Sequence, residues 1–171
     1  MQEVIELTKN LSFTNLDLLS VGITIAAIGL LGFIVYISNT KSYTNISFLL
    51  FCAVTILWSF FNYISYQTKD PELYLHLWKI VILLGFWHSL SFFNFLYVFP
   101  KEKIRFPFWY KFVLLPYVII FSLWAGIGDL VFSSVTLVND IPVPTVEKGI
   151  ISFLLIVILL ILSSFFFLVR R

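Results

Sequence analysis

Five stretches, each about as long as a bilayer is thick and nearly free of charge, decide what this chain can fold into. They run from Leu19 to Ser38, Ile46 to Tyr66, Tyr74 to Phe99, Phe108 to Phe132 and Gly149 to Val169. Their separators are NTKSYTN, QTKDPEL, PKEKIRFP and SSVTLVNDIPVPTVEK, which are read as connecting loops. A hydrocarbon core takes about 20 mostly apolar residues per helix, so each stretch is long enough to span. Charged residues make up 12% of the chain against 60% hydrophobic and 19% aromatic. Ordinary globular domains carry about 25% charge, so too little is present to cover a soluble surface.

None of the stretches shows the period-2 alternation of a membrane barrel, and unsatisfied backbone groups in lipid leave helices as the other spanning solution. The expected fold is therefore all-α, a five-transmembrane-helix bundle over residues 19–171 preceded by an extracytoplasmic segment, residues 1–18. Little is left over for an independent soluble domain, which usually takes about 50 residues or more. The flank MQEVIELTKNLSFTNLDLLS is acidic, unlike the basic start of a signal peptide, so the first span is expected to remain in the mature protein. Cys52 is the only cysteine, which rules out an intramolecular disulfide and a cysteine-based metal site. A net charge of +2 from few, dispersed basic residues gives no sign of nucleic-acid binding.

Lysine and arginine near span ends are retained on the cytoplasmic side. One face collects seven of them, Lys41, Lys101, Lys103, Arg105, Lys111, Arg170 and Arg171; the other collects four, Lys9, Lys69, Lys79 and Lys148. The acids follow the same split, with Glu102 alone on the first face and Glu3, Glu6, Asp17, Asp70, Glu72, Asp129, Asp140 and Glu147 on the second. The expected localisation is the plasma (inner) membrane, amino terminus outside and carboxyl terminus in the cytoplasm.

Polar residues inside the third span are the first candidates for function. His88, Ser91 and Asn94 are spaced three apart and form a polar stripe, with Ser89 at its side. An unpaired polar group in hydrocarbon costs several kcal/mol, so the stripe should face other helices and leave Phe86, Leu90 and Phe93 to lipid. Interhelical hydrogen bonding alone accounts for it; the functional reading makes His88 a ligand contact or a proton-sensitive element. Pro100 then ends the helix, with a basic loop and the Trp109–Tyr110 pair marking the interface.

A second polar group lies at the other end of the spans. Trp58, Asn62 and Tyr66 recur at successive turns of the second span, while His76 and Lys79 open the third. Asp129, near the exit of the fourth span, lies at a depth that permits an ion pair with Lys79. Together Asn62, Tyr66, His76, Lys79, His88, Asn94 and Asp129 form the hypothetical ligand-binding set, because pockets between bundle helices combine apolar walls with a few fixed polar groups. Interfacial snorkelling by Lys79 and His76 is the competing reading. Gly22, Ala26 and Gly29 would permit close helix approach, Pro116 would kink the fourth span, and the fifth span should face lipid or another subunit. There is no phosphate-binding glycine loop, HExxH, nucleophile elbow or paired intramembrane carboxylate, so no enzyme activity, cofactor or metal is expected.

The outside amino terminus, Trp58 in ILWSFFNY, the Leu77–Trp78 pair and the SFFNFLYVFP closing the third span together resemble the amino-terminal seven-transmembrane sensor region of bacterial histidine kinases. The resemblance covers residues 15–169 but with five spans rather than seven and no kinase, cyclase or PAS domain following. It implies a sensory input module that passes a signal to a cytoplasmic kinase or cyclase output domain or partner, with the lipid bilayer around it and a homo-oligomer as one arrangement. On this reading the chain is either part of a longer sensor or a standalone protein acting through others. The alternatives are a non-sensory accessory or assembly subunit and a small-solute carrier.

Overall fold

The computed structural model describes residues 2–100, 106–138 and 141–170. Lys101, Glu102, Lys103, Arg105, Asp140 and Arg171, which entered the charge argument, lie outside the described residues. Among the described residues the order is α1 (Gln2–Ser38), α2 (Tyr43–Gln67), α3 (Pro71–Val98), a π-helical turn (Tyr110–Leu114) running into α4 (Leu115–Ile127), strands β1 (Phe132–Val138) and β2 (Ile141–Val146), and α5 (Gly149–Val169). Five helical segments, Asp17–Ser38, Tyr43–Gln67, Pro71–Val98, Tyr110–Ile127 and Gly149–Val169, are long and apolar enough to cross a bilayer. The chain is an all-α, multi-pass membrane protein.

Local chemistry sets the helix ends. The Ser42 side chain caps α2 by accepting from the Asn45 amide. Asp70 caps α3, its Oδ1 accepting from Leu73 N at 2.8 Å, with Pro71 in the first turn, where a missing N–H does no harm. Pro116 sits where the π-helical turn passes into α4; its absent N–H coincides with a widened register in which Leu115 N donates to Tyr110 O.

α3 is the hub. α2, α4, α5 and the β-hairpin all pack on it, whereas α1 packs on α2. These neighbours correct one expectation: Phe86, Leu90 and Phe93, assigned to lipid from the polar stripe, are buried core residues. Aromatic rings supply much of the packing, with Phe86 edge-on to Phe121 at 5.1 Å and to Phe153 at 4.8 Å. The fifth span, expected to face lipid or another subunit, buries Gly149, Ile156, Leu160 and Ser164 and leaves its other faces exposed.

The stretch read as the last connecting loop is a β-hairpin, and the fourth span stops at Ile127 rather than Phe132. Gly126, Gly128 and Asp129 punctuate the helix, with Gly128 extended. The β-branched run that follows pairs antiparallel with β2 in the register Val135↔Pro144 and Leu137↔Pro142. Proline has no N–H to give a ladder, so both prolines belong at positions whose N–H would point away from β1. Val131 and Phe132 anchor the hairpin, the Phe132 ring standing edge-on to Trp78 at 5.6 Å. Glu147 N donates to Val131 O at 2.8 Å, and Glu147 Oε1 accepts from Ser133 Oγ at 2.8 Å.

The small-residue face of α1 also differs from expectation. A side chain at Gly22 would meet open space, Ala26 is exposed, and Gly29 makes only ordinary contact with Ile56 at 3.5 Å. The tight approach is Gly32 against Cys52, where an added Cβ would lie 2.9 Å from the cysteine Cβ. The short turn between α1 and α2, clamped by Asn45 Nδ2 donating to Val35 O at 2.7 Å, holds the helices together at that end. They diverge toward the other, opening a crevice of about 320 Å³ beside Ser20, Thr24 and Tyr63.

Candidate functional site

A cleft runs between α2 and α5 with α3 as its floor. One wall is Trp58, Asn62 and Tyr66, four residues apart on α2; the other is Phe153, Val157 and Ile161, four apart on α5. Four-residue spacing returns to one helix face, which is why each trio makes a wall. Trp78, Val81, Ile82, Gly85, His88 and Ser89 form the floor, and this part encloses about 470 Å³. A second depression of about 250 Å³ shares His88, Ser89 and Ile161 and continues to Phe51, Phe92 and Phe165. From Trp78 to Phe92 the floor covers fifteen residues of helix, a rise of roughly 21 Å. At Gly85 the floor lacks a side chain and the Phe153 ring of α5 settles onto it: a Cβ there would lie 3.2 Å from that ring.

The α5 wall is apolar and the polar groups of the cleft are few. The His88 ring lies against Trp58 at 5.5 Å and Phe51 at 5.2 Å. Neither its nitrogens nor the side-chain polar atoms of Asn62 and Tyr66 have a hydrogen-bond partner among the described residues. Trp78 Nε1 is buried and likewise without a hydrogen-bond partner, although buried indole N–H groups usually find an acceptor. Three rings hold that indole in place: Tyr66 and Phe132 edge-on at 6.1 and 5.6 Å, and Tyr74 tilted at 5.9 Å.

The seven sequence-derived candidates therefore separate. Asn62, Tyr66 and His88 share the cleft. Lys79 and Asp129 form an ion pair, Nζ to Oδ1 2.8 Å, outside it; the Lys79 side chain is 11% exposed and that of Asp129 71%, so a nearly buried ammonium is tied to a solvated carboxylate. His76 is exposed with Nδ1 2.8 Å from the Glu72 carbonyl one turn back, so it joins neither group. Asn94 Oδ1 accepts from Tyr110 OH at 2.6 Å and fastens α3 to the π-helical turn. The polar stripe is thus not one face: each three-residue step lags a full turn by about 60°, putting Asn94 about 120° around from His88. Ser91 lies between them, its hydroxyl donating to the His88 carbonyl at 2.8 Å.

The ion pair carries a stability prediction. Asp129→Ala leaves the Lys79 ammonium without its partner and lowers stability by about 1–3 kcal/mol, less than for a fully buried pair because one end is solvated. The double variant Lys79→Met with Asp129→Asn recovers most of that loss. Denaturant titration in bicelles reads both; a single variant as stable as the parent would remove the pair from the account of how α3 and α4 are joined.

Sequence reasoning missed Trp78 as a site residue and the whole α5 wall. Trp78 was visible only as half of a Leu–Trp pair, and Phe153, Val157 and Ile161 belong to a uniformly apolar span without a pattern to single them out. Among the described residues no group of three or more His, Cys, Asp or Glu is placed to hold a metal. The chain matches no family model, no curated protein and no solved structure, so the reading of the cleft rests on its own geometry.

Proposed function

We propose that this protein is a membrane-embedded input module of a bacterial signalling system, with the α2–α5 cleft as the site where the signal is received. The observation that carries the reading is the convergence of hydrogen-bonding side chains without protein partners among the described residues, Asn62, Tyr66 and His88, in a largely apolar cleft whose two walls lean on α3 and touch each other little. An occupant there changes the separation of α2 and α5, and it favours one packing only by its difference in affinity for the two arrangements. In this proposal the amino terminus is outside and the other end of α5 reaches the cytoplasm, where a kinase or cyclase output domain or partner receives the change. The resemblance to seven-transmembrane sensor regions and the bias of basic residues support it.

Two measurements test the reading. In intact cells a membrane-impermeant amine reagent should modify Lys9 and spare Lys101 and Lys103; the reverse labelling would overturn the topology. The Asn62→Ala and His88→Phe variants should keep the parent's thermal stability and lose the output response of the signalling chain with which the protein is expressed. Loss of partner co-purification with the response intact would instead favour an accessory subunit.

A further inference from the structure

We propose that the crevice between α1 and α2 is a binding site for a small, neutral, hydroxyl-rich molecule of the monosaccharide or cyclitol class, entering from water at the ends of these helices. The site lies on the α1 side of α2 and is independent of the reading given to the α2–α5 cleft.

The seam that should join the two helices here is polar on both sides and unjoined. On α2, Ser59, Asn62, Tyr63 and Tyr66 follow the i, i+3, i+4, i+7 spacing that returns to one helix face. Across the crevice α1 presents Ser20 and Thr24, one turn apart, with Val21 and Ile25 beside them. Polar side chains between membrane helices usually bond across the seam, because lipid offers them no partner. Among the described residues none does so here. Ser20 Oγ donates to Asp17 O and Thr24 Oγ1 to Ser20 O, both at 2.8 Å along their own helix. The polar side-chain atoms of the four α2 residues have no hydrogen-bond partner among the described residues. A hydroxyl that has donated still accepts, whereas the three α2 hydroxyls and the Asn62 carboxamide can do both. The crevice thus offers donors and acceptors on both walls to a third molecule.

Charge and ring content select its class. No Asp, Glu, Lys, Arg or His lines the crevice, so an ion entering it would lose hydration without gaining a counter-charge. An apolar occupant would leave the α2 hydroxyls and amide unpaired, the costly case. Trp58, Tyr63 and Tyr66 add aromatic surface to the same lining. A pyranose or cyclitol presents C–H faces to rings and hydroxyl edges to polar groups; water meets only the polar groups. The volume of about 320 Å³ is the liquid share of about ten waters, room for one six-membered ring with its hydroxyls. Ser20 lies three residues after Asp17, where the first span starts, and Tyr66 precedes Gln67, where the second ends. The crevice therefore sits at the membrane surface, within reach of a water-soluble molecule.

The full chain in phosphatidylcholine nanodiscs tests this by saturation-transfer NMR, with methyl α-D-glucopyranoside and myo-inositol as probes. Transfer to the ring protons of at least one probe should rise to a plateau with concentration; gluconate, of similar size but anionic, should show none. Tyr63→Phe and Thr24→Val keep the shape of the walls and remove one hydroxyl each. Either should weaken the apparent affinity about fivefold, which corresponds to one hydrogen bond of about 1 kcal/mol. Val21→Trp, which fills the crevice from α1, should abolish saturable transfer.

Absence of saturable transfer to both probes would leave the crevice to water and overturn the proposal. So would equal transfer to gluconate, or an affinity unmoved by both Tyr63→Phe and Thr24→Val. Transfer seen only to the sugar of a glycosyldiacylglycerol in the nanodisc would make the crevice a lipid-headgroup site and overturn the proposal as well. His88→Phe, in the cleft, should bind the probes as the parent does; loss of binding in that variant would place the probe in the cleft instead. Intact binding with output lost in His88→Phe would support both readings separately, and intact binding with output unchanged would defeat the input-module reading alone.

Discussion

Phe86→Ala should lower stability by about 2–4 kcal/mol. Phe→Ala in soluble cores costs roughly 3–5 kcal/mol, but lipid removes much of the transfer contribution and leaves the packing loss. The loss is large here because one ring joins three helices: Phe86 is fully buried and contacts Phe121 on α4 and Phe153 on α5. α4 and α5 lean on α3 more than on each other, so little is free to move into the space. Phe86→Leu, which keeps most of the volume, should cost about half as much. Denaturant titration in bicelles is the measurement, and an alanine variant within about 0.5 kcal/mol of the parent would remove Phe86 from its place at the hub.

Gly149→Val should be more damaging still, with most of the protein failing to reach the folded state. Gly149 opens α5 directly against the residue that leads into the hairpin, its N–H donating to the Leu130 carbonyl at 3.1 Å. A Cβ on Gly149 would overlap that carbonyl oxygen and lie 2.6 Å from Leu130 Cγ. Backbone cannot swing aside as a side-chain tip can, so even Gly149→Ala should cost about 2–3 kcal/mol by overpacking. Gly22→Ala is the matched control. A Cβ there meets nothing within 4 Å, and alanine is the better helix former by up to about 1 kcal/mol. Folded yield by size-exclusion chromatography separates the two sites; equal behaviour would contradict the close entry of α5.

How much was legible in advance differs between spans and site. The apolar runs announced all five helices, and α5 was placed at its observed bounds, Gly149–Val169, because charge and turn residues flank it on both sides. The apolar run of the fourth span continues to Phe132, past the end of the helix at Ile127, because Leu130, Val131 and Phe132 are as apolar as the helix before them. Apolarity does not distinguish the end of a helix from the start of a buried strand; the alternating run after Gly128 and its partner after Asn139 were the usable signal. The inward set of α3 was misjudged for a related reason. A polar stripe locates a buried face only when the side opposite meets lipid, and on α3 the Phe86 side packs on α4 and α5 while His88 lies on the floor of the open cleft.

By itself the sequence determined that the chain crosses a bilayer as helices, because twenty apolar residues must satisfy their own backbone in lipid whatever surrounds them; it did not show that the first helix starts at Gln2, ahead of Leu19, or that the fourth stops at Ile127. It permitted the Lys79–Asp129 ion pair by matched depth, but eight acids share that face, and the tertiary structure chose Asp129. Tertiary structure alone decided that α3 is the hub, that His88 and Asn94 serve different neighbours, and that α5 closes a cleft over Trp78. Lipid is as apolar as leucine, so nothing in hydropathy says which apolar face meets a helix and which meets the membrane; only the fit of rings and small residues between helices settles it.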